Sequence, residues 1–214
     1  MKLKITIILL TLILISGCSG ITGGFISSCI GLDNGEECYV KIAKQRQDTT
    51  FCDLIKDKLS AEYCYTEVAQ ARNDAGLCYG IEGIYWHDVC FKKLAVANGE
   101  TNFCKEIREI TDANKCLLDI GKKFENLDAC KIITNIEMRD TCVRTIAVVT
   151  ENEELCAMIT NQLEKDVCYI KIAKSKDEVA ICSKIETSVI REDCYAKLAG
   201  KEITSSPERT VVRV

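Results

Sequence analysis

Proline is nearly missing from this 214-residue chain, and Pro207 is its only representative. Histidine and tryptophan also occur once each, as His87 and Trp86, and aromatic residues make up 6% of the total. Without proline, nothing upstream of the tail interrupts a helix. With one histidine, a His-centred catalytic triad has a single place to form. No two cysteines lie closer than nine residues apart. That spacing excludes the Cys-x-x-Cys of thiol–disulfide catalysts, the haem-attachment sequence and the usual pattern of structural zinc. Gly-x-Ser-x-Gly, a phosphate loop and His-Glu-x-x-His are absent as well. Charge of one sign is not in excess either: 28 Lys+Arg stand against 32 Asp+Glu, with no basic stripe to suit nucleic acid. The reading is therefore of a protein that is not an enzyme, with no cofactor, no metal and no nucleic-acid partner.

What the chain has in quantity is cysteine, 15 in all. From Cys52 they fall at 52, 64, 78, 90, 104, 116, 130, 142, 156, 168, 182 and 194, in steps of twelve and fourteen by turns. This is a 26-residue repeat in six full copies, 48–73, 74–99, 100–125, 126–151, 152–177 and 178–203. Such periods mean stacked supersecondary units. Three residues after the first cysteine every copy has isoleucine (Ile55, Ile81, Ile107, Ile133, Ile159, Ile185), and the residue before that cysteine is apolar throughout. At about 100° per residue these positions share a helical face. After the second cysteine, apolar residues at +1 and +4 and a small residue at +5 (Ala69, Ala95, Gly121, Ala147, Ala173, Ala199) mark a second amphipathic helix. Helix starts are expected at Asp48, Asp74, Glu100, Asn126, Asn152 and Glu178. They are also expected at Glu62, Asp88, Asn114, Asp140, Asp166 and Glu192, two residues before each second cysteine, since such side chains cap free N–H groups. The pattern predicts an all-α chain of αα-hairpins, each of two helices of about 8 to 12 residues, stacked as a solenoid over residues 29–203.

Facing helices bring Cα atoms within the disulfide range. Two registers are open, one across the twelve-residue step and one across the fourteen. The ends decide, because only the short step uses every cysteine from Cys29 onward: Cys29 with Cys38 in a truncated first hairpin, then Cys52 with Cys64, Cys78 with Cys90, Cys104 with Cys116, Cys130 with Cys142, Cys156 with Cys168, and Cys182 with Cys194. An even set of this kind fits an oxidising compartment.

Residues 1–17 open with Lys2 and Lys4 and continue in an apolar run from Ile5 to Ile15, the form of a secretory signal. The run ends in Ile15-Ser16-Gly17-Cys18, which resembles the lipobox of exported prokaryotic lipoproteins. The resemblance implies cleavage before Cys18 and a lipid on its thiol, hence an extracytoplasmic protein held at the membrane. Loss of Lys2 and Lys4 would leave 28 − 2 = 26 Lys+Arg against 32 Asp+Glu, a net charge of −6. Residues 18–28, rich in glycine and serine, read as the lipidated cysteine and a flexible tether, and residues 204–214 as a disordered tail.

The array is similar in design to the Sel1-like and TPR-like cysteine-rich solenoid proteins, secreted αα arrays whose hairpins are also tied by disulfides. Their repeat is longer and their cysteines closer, so the similarity is one of architecture over 29–203. It implies a scaffold that binds a protein or peptide partner. The alternative is a structural or protective component of the cell envelope in which the stapled array is itself the function, and a metal or redox role has the least support. One copy departs from the rest. Tyr79, Tyr85, Trp86 and His87 gather near an inter-helix turn beside Gly80 and Gly83, a candidate aromatic binding patch. Recognition would call for exposed apolar or aromatic surface across several repeats, and a purely structural role for a uniformly charged exterior.

Overall fold

The structure, a computed structural model, describes Cys29 and residues 35–205, with side chains through Leu198. Among the described residues every regular element is helical, and the chain is an αα-repeat solenoid with one disulfide to each hairpin. It divides into two compact units, Met1–Cys90 and Phe91–Val214. The first holds α1 (Gly35–Arg46), a 3₁₀ helix (Thr49–Leu54), α2 (Lys58–Arg72), α3 (Ala75–Tyr79) and the start of α4 (Ile84–Asn98). The second holds the end of α4, then α5 (Thr101–Lys105), α6 (Ile110–Phe124), α7 (Leu127–Lys131) and α8 (Ile136–Val149). A 3₁₀ helix (Glu153–Met158), α9 (Gln162–Lys176), a last 3₁₀ helix (Val179–Lys184) and α10 (Ser188–Ser205) complete it. The signal segment, Cys18, the tether and residues 206–214 lie outside the described residues.

The two helices of a hairpin are unequal, not both of 8 to 12 residues. The first is a single turn or so, five or six residues, and the second runs for 14 or 15, or 18 in α10. The invariant isoleucine sets the difference. It does not continue the helical face before it. Its N–H closes the short helix on the carbonyl of the cysteine three residues back, 3.1 Å from Ile55 to Cys52 and 3.2 Å from Ile185 to Cys182. In the 3₁₀ copies the isoleucine is itself extended (φ −81°, ψ 125° at Ile55), so the chain turns there while the side chain stays buried. Burial thus follows the helical pattern, but the backbone leaves the helix to achieve it. At the other end of the array α10 continues through Thr204 and Ser205, which extends the helix past residue 203 into the stretch expected to be tail.

The short helices start where the sequence places them. Asp48, Asp74, Asn126 and Asn152 accept from a backbone N–H two or three residues on, while Glu100 and Glu178 occupy the cap position without a side-chain bond. The long helices start elsewhere. Their caps stand seven residues before the second cysteine, where Asp57 accepts from Ser60 (2.8 Å), Asn135 from Met138 (2.9 Å) and Asn161 from Glu164 (3.1 Å). The residues two before that cysteine sit inside the helix and are buried in every full copy but the last, and Glu62, Asn114, Asp140 and Asp166 reach into the following hairpin of their own unit. Within the second unit, Asn114 Oδ1 accepts from the Thr134 N–H (2.9 Å), and Asp140 Oδ2 from Thr160 (3.1 Å) and Asn161 (2.8 Å). Asp166 accepts from Glu186 (3.0 Å) and Thr187 (3.1 Å). Each carboxylate or amide so placed satisfies N–H groups at the start of the next long helix, where the dipole favours negative charge. It joins repeats and does not start its own helix. Asp166 Oδ1 also accepts from Gln162 Nε2 (2.9 Å), whereas Asp140 Oδ1 is buried without a partner, because the residue matching Gln162 is Ile136. Glu192, in the last described hairpin, is exposed.

All seven bridges use the twelve-residue step or its shortened nine-residue form, with Cα atoms 5.5 to 5.8 Å apart. Every bridged cysteine but Cys38 is buried. The small +5 residue explains how a bridge fits into the stack. A Cβ on Gly121 would lie 2.9 Å from Cys130 Sγ and nearer still to Cys142 Sγ, so α6 rests its backbone on the next hairpin's disulfide.

The carbonyl of that same small residue ends the helix. It accepts from the N–H of the next short-helix cap, 2.9 Å for Asp74 to Ala69 and 3.0 Å for Glu178 to Ala173, while the residue between takes the left-handed conformation. Those residues recur every 26 positions: Gln47, Asn73, Gly99, Glu125, Glu151 and Asp177. Only one is glycine, though a side chain at positive φ costs about 1 kcal/mol. Glu125→Gly is accordingly expected to stabilise the protein by about 1 kcal/mol, read as a raised midpoint in thermal unfolding.

Candidate interaction surface

In the first unit the aromatic cluster is real but differs in membership from the sequence expectation. Trp86 lies in the first turn of α4, its ring centroid 5.0 Å from that of Tyr63 on α2 and 4.9 Å from Tyr85, which meets it edge-on at 76°. Tyr79 and Tyr85 are exposed and Trp86 is half-buried. His87 does not belong to the exposed patch. It is 4% exposed, and its Nδ1 lies 2.9 Å from Asp88 Oδ1. Two residues along a helix rotate the side chain by about 200°, so His87 points away from the side that Tyr85 occupies. Tyr63, which the sequence reading missed, takes its place; its signal was the i, i+4 spacing from exposed Leu59 on α2.

Gly83 brings this corner together. Its N–H donates to Glu62 Oε1 at 3.0 Å, and a Cβ there would run into the same carboxylate. In the matching positions of the second unit the acceptor is Asn or Asp, one methylene shorter, and the residue it meets has a side chain. Glutamate at 62 therefore demands glycine at 83. Further along the unit, Lys44 Nζ binds Glu67 Oε2 at 2.5 Å, and that hydrogen bond raises the lysine pKa. Tyr65 donates to Asp53, which pushes its hydroxyl up to about 12 and keeps it neutral.

The second unit has a surface feature of another kind. Ile110, Ile136, Leu163 and Val189, in the first two positions of α6, α8, α9 and α10, are each more than half exposed. Ile132 and Met158, just ahead of two of these helices, are exposed too. An apolar residue therefore stands open to water in the first turn of every long helix that begins in the unit. None acts as a hydrophobic staple, since the residues preceding the caps (Arg108, Thr134, Thr160, Glu186) are polar.

The fourteen cysteines from Cys29 to Cys194 are all in bridges, and among the described residues no group of three or more His, Cys, Asp or Glu could hold a metal ion. No helix among them is long and apolar enough to cross a membrane. No protein-family model, curated protein or solved structure matches the chain.

Proposed function

We propose that the protein is a lipid-anchored, extracytoplasmic helical-repeat scaffold that binds an extended protein or peptide partner. The observation that carries this reading is the exposed aliphatic residue in the first turn of each long helix that begins in the second unit, Ile110, Ile136, Leu163 and Val189. A structural component would gain nothing from apolar side chains repeated in water, whereas a partner spanning several hairpins would bury one per repeat. Anchoring rests on the resemblance of Ile15-Ser16-Gly17-Cys18 to a lipobox, and export on the even set of bridged cysteines. Tyr79, Tyr85 and Trp86 offer a second contact area. The alternative, a protective element of the envelope, draws its support from the bridge in every hairpin.

A photo-crosslinking residue at Ile136 or Leu163, with Val149 as an exposed apolar control at the far end of α8, separates the two. Recognition gives one discrete adduct from both test positions and none from Val149, and Leu163→Asp reduces the adduct formed from Ile136 by at least about tenfold. A ladder of self-adducts, or equal labelling from Val149, would turn the conclusion to the structural role.

A further inference from the structure

The aromatic corner of the first unit has a composition of its own. Leu59 and Tyr63 stand one turn apart on α2, and Ile84, Tyr85 and Trp86 form the first turn of α4. Leu59, Ile84 and Tyr85 are more than half exposed. The charges beside them cancel, for Lys58 Nζ binds Glu82 Oε2 at 2.7 Å. The surface is thus neutral, aliphatic at its tips and aromatic behind, with phenol and indole groups to meet water. Tyr and Trp prefer the headgroup level of a bilayer for this reason, with aliphatic side chains just below it.

Position along the chain selects the occupant. Ten residues separate Cys18 from Cys29, which lies in the same unit. Eleven residue steps span at most about 40 Å even when fully extended. A lipid on Cys18 would hold Cys29 within that distance of the bilayer, and with it the unit that carries the corner, where the effective concentration makes a weak affinity sufficient.

We propose that the corner formed by Leu59, Tyr63, Ile84, Tyr85 and Trp86 docks on the bilayer interface and orients the first unit against the membrane. The inference rests on the lipid anchor proposed above and leaves the second unit's apolar row to the partner. Because the corner is neutral, docking does not require anionic lipid and is insensitive to salt.

Trp86 is the only tryptophan and reports on the contact directly. The protein purified with its native modification is placed in phosphatidylcholine vesicles with and without bromine on the acyl chains. Bromine near the headgroups is expected to remove at least about half of the Trp86 emission, in low and high salt alike. The double variant Ile84→Ser, Tyr85→Ser, whose replaced side chains are exposed, is expected to keep its helicity and lose most of that quenching. Intact mass with a lipid on Cys18 but unquenched emission would overturn the docking proposal alone and leave the corner to a protein partner. Quenching that persists in the double variant would overturn it as well. Absence of lipid on Cys18 would overturn the anchor and the docking proposal together.

Discussion

Cys130→Ala combined with Cys142→Ala lowers stability by about 3 kcal/mol, the usual effect of opening a loop of this size. The expected loss is not confined to one hairpin. In a repeat array each unit is stabilised mainly by its neighbours, and here the bridge is also part of the packing, because the backbone at Gly121 rests against both sulfurs. Removing them leaves α6 above a cavity as well as a looser hairpin. Urea unfolding followed by circular dichroism should therefore become less cooperative, with a shallower slope in addition to a lower midpoint. A parallel shift with unchanged slope would mean that the second unit unfolds as one body and that the bridge acts through loop entropy alone.

Asp166→Ala is expected to cost about 2 kcal/mol, and the loss should appear first in α10. Asp166 is fully buried and serves two backbone N–H groups at the start of that helix. Alanine leaves both without an acceptor. Asp166→Asn is the informative companion, since Asn114 performs the same task two hairpins earlier, accepting from the Thr134 N–H and donating to its hydroxyl at 3.0 Å. Thr187, one place further along than the counterpart of Thr134, also brings a hydroxyl to Asp166, so the asparagine variant should lose less than about 1 kcal/mol. Hydrogen exchange in α10 against α6 measures both. Acid should act in the same direction as alanine. Burial alone would raise the Asp166 pKa, but the hydrogen bonds from Thr187, Glu186 and Gln162 outweigh it and hold the group below its ordinary value. A lowered pKa stabilises the fold above the unfolded value of about 3.9 and ceases to do so as pH falls through the folded value. Protection of α10 should thus decline below about pH 4 in the wild type, and Asp166→Asn should not share that decline.

The hairpins and their bridge register were legible because both depend on period and parity, which a one-dimensional sequence preserves. The unequal helix lengths were not, because Ile55 and its counterparts are buried both by a helical reading and by the extended turn they make. Hydrophobicity records burial, not the backbone that delivers it. The buried Asp140 and Asp166 were mistaken for local caps for a similar reason. An acid two residues before a cysteine looks the same whether its hydrogen bonds go to its own turn or to one 20 residues later. His87 was assigned to the patch from adjacency to Trp86, yet neighbours in a helix point in different directions. The apolar row of the second unit was visible all along as Ile110, Ile136, Leu163 and Val189, but only the structure separates apolar residues that face water from those that fill the core.

Because every bridge closes a hairpin and none links one hairpin to the next, the array has a covalent limit on how far it can be drawn out. A pull on its ends reaches the chain only between a bridge and its successor, for instance from Cys64 to Cys78, while the twelve-residue loop inside each bridge carries no tension. Each repeat can be drawn out to a length of about 50 Å at most while its disulfide is intact, against roughly 90 Å for an unbridged repeat of 26 residues. A protein held by one end to a moving surface and by its flank to a partner would yield in short, equal steps, and nearly half of its chain would stay looped throughout.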